Sequence, residues 1–211
     1  MFVPTLYLPS VDLVKKTIEI PEIKLHHLIN VLRIKNNSSV NISNGQGFLA
    51  FGHLINENVE IMKVENFYLE NKISIAVPYL REKNRFRFMI EKLVELNTFE
   101  INLVKTTNTQ NTNTASSKII SWAESAVEQS GTPFFPKFNF DEELDYNKFS
   151  NCFDISGINY KKNNSIINNF AIGPEGGWTN KELANFSKIY SLSNFSLRTE
   201  TAAITAVSLM M

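Results

Sequence analysis

The chain has 211 residues, 43% of them hydrophobic, with 21 Lys plus Arg against 21 Asp plus Glu, a globular composition long enough for one large domain or two small ones. The charge balance excludes a uniformly basic nucleic-acid binder, so any RNA contact must rest on local patches. A lone cysteine, Cys152, makes a reducing cytosol the default, and with no signal-like start in "MFVPTLYLPS" and no apolar run near the ~18 residues of a span, a cytoplasmic chain without a membrane partner is expected.

Residues 1 to about 75 read as strands with one short helix. "IKLHHLINVLR" spaces Leu25, Leu28, Ile29 and Leu32 at helical intervals. "SVNISNGQGFLAFGHLI" sets two apolar stretches around Asn44-Gly45, a pair suited to a type I′ hairpin turn. "NVEIMKVENFYL" alternates like a half-buried strand. This predicts a small β-barrel-like domain.

"KISIAVPYL" (72–80) then reads as a strand and "RFRFMIEKLVELN" (85–97) as an amphipathic helix. "EINLV" is a strand, "KTTNTQNTNTASS" a polar, mobile loop, and "SKIISWAESAVEQS" a second helix stopped by Gly131 and Pro133. "KFSNCFDIS" and "SIINNFAI" read as buried strands, "TNKELANFSKIY" as a helix, "SNFSL" as a strand and "ETAAITAVSLMM" as a terminal helix. Such alternation predicts a parallel sheet covered by helices. The boundary falls near residue 71, giving domains 1–71 and 72–211.

Several stretches carry chemistry. "AIGPEGGWTNKEL" (171–183) is strand, glycine loop and helix start, with Thr179 and Glu182 as a capping box. It is neither GxGxxG nor a P-loop, and it reads either as a tight turn or as backbone approaching a ligand. "LRTETAA" sets Arg198 and Glu200 before a helix apolar on all sides, with Thr199 and Thr201 available as caps. Such a helix is buried in a core or a subunit interface. Glu128 and Gln129 close the second helix before Gly131. Arg33, Lys35, Arg85 and Arg87 are candidate RNA phosphate contacts, the last two interleaved with Phe86 and Phe88. Adjacent His26 and His27 point apart on a helix, and with only His53 and Cys152 besides no metal site is expected.

Taken together and in order, "IGPEGG" followed by "LRTETA" is similar to the signature of the RsmE-type 16S rRNA uridine-N3 methyltransferases of the SPOUT superfamily. "HHLINVLR", "NGQG", "IEKLVELNTFEI" and "AVEQSG" resemble further segments of that family, across nearly the whole chain. The resemblance implies an α/β architecture: an N-terminal PUA-like β-barrel for RNA, then a SPOUT domain with a C-terminal trefoil knot. It implies S-adenosyl-L-methionine as methyl donor, no metal, a homodimer, and 16S rRNA of the small ribosomal subunit as partner. Residues carried over for the donor are Ile172, Gly173, Pro174, Glu175, Gly176, Leu192, Leu197, Arg198 and Thr199, with the loop after "NCFDIS" as a third wall. Backbone N–H and C=O groups of the glycine loop would hold adenine and ribose edges. Arg198 is expected to stabilise negative charge developing on uracil, with Glu200 or Glu175 orienting Arg198 or relaying the proton.

Departures are specific. Phe195, Asn108 and Thr132 stand where the family carries arginine, Ser193 replaces a glycine, and the Glu-Leu-Gly helix end is Glu-Leu-Asn97. These losses weaken expected contacts to RNA phosphate or the reacting base. Two alternatives follow: a SPOUT enzyme acting on another RNA atom, and an RNA-binding ribosome-assembly factor with impaired catalysis.

Overall fold

A computed structural model describes residues 3–109, 114–160 and 166–211. Residues 110–113, within the polar run read as a mobile loop, lie outside them. The chain forms two compact units, one of Met1–Tyr68 with Glu124–Phe135, the other of Leu69–Ala123 with Pro136–Met211.

The first unit is a five-stranded sheet in the order β1-β3-β4-β5-β2. Its strands are β1 (Thr5–Tyr7), β2 (Thr17–Glu19), β3 (Ser39–Ser43), β4 (Phe48–Ile55) and β5 (Asn58–Asn66). β1 runs parallel to β3 and the other pairs are antiparallel. Leu6, Ile18, Leu28, Val40, Ile42, Leu54 and Val59 form its core. The expected helix is α1 (Glu22–His26), continued by a π-turn over His27–Val31. Arg33, at φ 56°, ends that helical stretch.

The tight turn is not where the sequence placed it. Ser43 pairs with Leu49, so the Asn44–Gly47 connection is too long for a two-residue turn. The Asn44 carboxamide accepts from the N–H groups of Gln46 (2.8 Å) and Phe48 (3.1 Å) and organises this loop. The two-residue turn is Asn56-Glu57, both at positive φ, between the paired Ile55 and Asn58.

In the second unit, β6 (Ser74–Pro78), β7 (Glu100–Lys105), β8 (Lys137–Glu143), β9 (Asn151–Asn159), β10 (Asn169–Ile172) and β11 (Lys188–Ser191) form a parallel sheet in the order β11-β9-β10-β6-β7-β8. Every residue of β6 is buried, as a central parallel strand requires. α2 (Lys83–Glu95) buries Phe86, Met89, Ile90, Leu93 and Val94 on one stripe. Glu82 caps it by accepting from the N–H groups of Asn84 (2.9 Å) and Arg85 (2.8 Å). Asn97 ends it at φ 52°, the left-handed backbone that glycine and asparagine adopt most readily. α3 spans Ser116–Ser130, α4 Asn180–Leu183 and α5 Thr199–Met210. α5 packs on α2 and buries Ala203, Ala206, Val207 and Met210, while Leu209 is exposed. Its apolar surface is thus half in the core.

Two sequence readings fail in this unit, and one strand was missed. The helix read over 179–190 stops at Leu183, and Lys188–Ser191 is β11. Leu183, Phe186, Ile189 and Tyr190 mimic a helical spacing, but the chain leaves the helix when the Ser187 N–H donates to the Ser150 carbonyl (2.7 Å), beside β9. The strand read at "SNFSL" is a turn, because Ser191 Oγ donates to the Ser193 carbonyl and Ser193 Oγ accepts from Phe195 N–H. Edge strand β8 was missed; its pairing with β7 is not a local signal.

Candidate functional site

β10 and β11 deliver the site at their C-terminal ends, where open α/β sheets bind ligands, and β9 joins them from an irregularity along its length. β10 leads directly into the glycine loop. β9 supplies a second wall because its register against β11 jumps from Ile189–Cys152 to Tyr190–Ile158, leaving Phe153, Asp154 and Ile155 free to line the cavity. The segment after β11, through Leu192, Leu197 and Thr199, is the third wall. The cavity holds about 370 Å³, within the range of small-molecule sites.

The glycine loop is packed from behind. A Cβ at Gly173 would lie 2.9 Å from Nε1 of Trp178, whose indole N–H donates to the Phe153 carbonyl at 3.2 Å. Gly177 sits at φ 71° with open space where a Cβ would be, so it is needed for its backbone alone. Asn108, at one of the expected arginine positions, donates from Nδ2 to the carbonyls of Gly176 (3.2 Å) and Gly177 (2.9 Å). It therefore braces the loop.

The capping box forms as expected. Thr179 Oγ1 accepts from Glu182 N–H at 3.3 Å, and Glu182 Oε2 accepts from Thr179 N–H at 2.8 Å. Glu182 also accepts from Thr107 N–H at 2.9 Å. Burial pushes this carboxyl's pKa up, and the N–H groups of Thr107 and Thr179 outweigh it, so it ends below its ordinary value. The helix start is thus occupied by its own glutamate. Thr199 does not cap α5: its hydroxyl donates to the Gly173 carbonyl at 3.1 Å and ties the helix to the glycine loop.

Of the residues expected to hold a donor, Ile172, Gly173, Pro174, Glu175, Leu192, Leu197, Arg198 and Thr199 line the cavity, and Gly176 does not. Arg198 is exposed and makes no side-chain hydrogen bond or ion pair among the described residues. Glu200 and Glu175 hold a different arginine. Arg85 Nε donates to Glu200 Oε1 at 2.8 Å, its Nη2 to Glu200 Oε2 at 2.6 Å, and its Nη1 to Glu175. Hydrogen bonding to Arg85 holds the Glu200 carboxyl below its ordinary pKa against the opposing effect of burial.

The other basic candidates are distributed differently. Arg33 and Lys35 are exposed in the first unit. Arg87 pairs with Glu91 at 2.6 Å along α2, Phe86 is in the core, and Phe88 is partly exposed beneath the Lys92 ammonium, 5.6 Å from its ring. Glu128, read as a helix end, accepts from Tyr7 N–H (3.1 Å) and Lys24 Nζ (2.5 Å) within the first unit. Sequence reasoning missed Trp178, Asp154, Phe195 and Arg85 as wall residues; the glycine loop signalled only the first, by adjacency. No group of three or more His, Cys, Asp or Glu side chains suited to a metal occurs among the described residues. No helix among them is long and apolar enough to cross a membrane.

An RNA methyltransferase domain is matched over residues 68–211 and an RNA methyltransferase PUA domain over residues 24–61. The chain is 28% identical over 212 aligned positions, 85% of its length and 84% of the relative's, to the ribosomal RNA small subunit methyltransferase E 2 of Borreliella burgdorferi. It also resembles the ribosomal RNA small subunit methyltransferase E of Neisseria gonorrhoeae bound to S-adenosyl methionine, at 25% identity and a TM-score of 0.79 over 99% of this chain and 97% of that one. A predicted RNA methyltransferase of Thermotoga maritima is 27% identical with a TM-score of 0.75, covering 98% and 96% of the two chains.

Proposed function

The chain belongs to the RNA methyltransferase family, and from that premise we propose that it transfers a methyl group from S-adenosyl-L-methionine to N3 of a uridine in 16S rRNA of the small ribosomal subunit. The observation that carries this reading is the cavity at the ends of β10 and β11 and the irregular stretch of β9, walled by the glycine loop and the 191–202 segment. Its chemistry suits the donor. Ile172, Pro174, Leu192 and Leu197 offer apolar surface, backbone groups of the loop offer hydrogen bonds to adenine and ribose, and the Asp154 carboxylate offers an acceptor. Bound there, the donor supplies a methyl carbon on a cationic sulfur.

The residues around it divide the remaining work. Uridine N3 carries a weakly acidic proton, so the base develops negative charge as methylation proceeds. Arg198, exposed at the cavity and with no side-chain hydrogen bond or ion pair among the described residues, is suited to stabilise that charge. Of the two glutamates, Glu175 lines the cavity, whereas both oxygens of Glu200 are turned onto Arg85. Glu175 is therefore the better candidate to relay the proton. N3 is a pairing atom, so the target base must be unpaired or flipped out.

The domains proposed are 1–71 for RNA and 72–211 for methyl transfer, with Arg33 and Lys35 touching phosphate. A trefoil knot in the C-terminal segment is supported by the order β11-β9-β10 and by the return of α5 to β10. A homodimer and a cytoplasmic setting are proposed with it, on the family resemblance.

The test incubates unmethylated small subunits with labelled S-adenosylmethionine and maps the labelled nucleotide. Label on a uridine N3, lost in Arg198→Ala, is the expected result. Label on a ribose oxygen would replace the target atom. Donor binding without any transfer would favour the impaired assembly factor, a reading that the exposed Phe195 in place of arginine specifically favours.

A further inference from the structure

Arg85 stands where three segments of the second unit meet. Its backbone lies in the first turn of α2, fixed by the Glu82 cap. Its planar guanidinium presents a two-pronged face to Glu200, through Nε at 2.8 Å and Nη2 at 2.6 Å, and its third nitrogen donates to Glu175. Glu175 belongs to the glycine-loop wall of the cavity, and Glu200 to the first turn of α5, directly after the opposite wall. The Glu200 side chain is 8% exposed and that of Arg85 25%. A carboxylate buried to that degree needs donors or a cation to offset its lost hydration, and a forked arginine fixes its orientation as well as its charge. One arginine thus cross-links both walls.

We infer that Arg85 is a positioning residue, which braces the two walls of the cavity in the geometry that accepts the methyl donor. This rests on the reading of the cavity as the donor site. It replaces the phosphate-contact role suggested by the basic stretch "REKNRFRF": Arg85 already spends three N–H groups inside the protein, and drawing it out to phosphate would strand Glu200. Lysine cannot reproduce the brace, because a single ammonium lacks the planar fork that satisfies two carboxylates at once.

The experiment compares the parent chain with Arg85→Gln, Arg85→Lys and Glu200→Gln. S-adenosylmethionine affinity is read by calorimetry, affinity for a 16S rRNA fragment at several salt concentrations, and folding by thermal melting. The expected result is a loss of donor affinity of about tenfold or more in Arg85→Gln, partial recovery in Arg85→Lys, and an unchanged salt slope for RNA. Unaltered donor affinity in a folded Arg85→Gln protein overturns the brace, as does a shallower RNA slope with donor affinity intact. If Arg85→Gln does not fold, Glu200→Gln decides, because that side chain does not line the cavity: weaker donor binding in a folded protein supports the brace, and unchanged binding overturns it. A parent chain that binds no S-adenosylmethionine overturns the donor site and the brace together, which separates that failure from the others.

Discussion

Glu100 shows how a single residue couples stability to pH. It is 5% exposed at the start of β7, where Lys148 Nζ lies 2.8 Å and Lys137 Nζ 3.4 Å from its carboxylate. Burial alone pushes its pKa up, but Lys148, Ser74 and Asn139 together pull it down from 4.5 to about 2. A depressed carboxyl contributes stability above its unfolded value and loses it as pH falls toward the folded one. That contribution is about 3 kcal/mol as an upper figure. Melting midpoints of the parent chain should fall between pH 5 and pH 2, and Glu100→Gln should be less stable at pH 7 with a flatter profile over that range. Equal profiles would remove Glu100 from the account. The same scale shows what sequence reading gains and loses. Asn97 and Asn108 register in the sequence as departures from a family pattern. In the structure one adopts the left-handed backbone that ends α2 and the other clamps the glycine loop. Arg85 was legible as a basic residue, but its two partners lie 90 and 115 positions away.

Elements with strong internal signals were legible. α2 declares itself by its apolar spacing, and β6 by an unbroken buried run. The Thr179–Glu182 capping box needed no tertiary information, since both of its hydrogen bonds are local. Thr179→Ala removes an acceptor for Glu182 N–H and a donor to its carboxylate. Chemical denaturation should show a loss of about 1–2 kcal/mol; a change within error would mean that Glu182 is held by Thr107 alone. β11 was illegible for a complementary reason. Its four residues fit the period of the preceding helix, and only pairing with β9 makes them a strand. β8 likewise becomes a strand only against β7.

For the whole molecule, the equality of acidic and basic residues means that RNA contact must rest on local basic patches. Each phosphate contact contributes about −0.7 to the slope of log affinity against log salt for a single strand. Arg33→Gln and Lys35→Gln should each make the slope shallower by about that amount, measured on a 16S rRNA fragment; unchanged slopes would exclude those side chains from phosphate contact. The sequence by itself determined α2, β6, and the glycine loop with its cap, because these depend on residues within a turn or two of one another, and the order of its motifs carried the family signature. Tertiary structure decided which strands are neighbours, that Glu124–Phe135 packs with the first unit, and that Glu175 and Glu200 grip Arg85. Contacts between residues far apart in the chain form only when the sheet brings them together. A residue type records the charge available there, and the fold alone selects its partner.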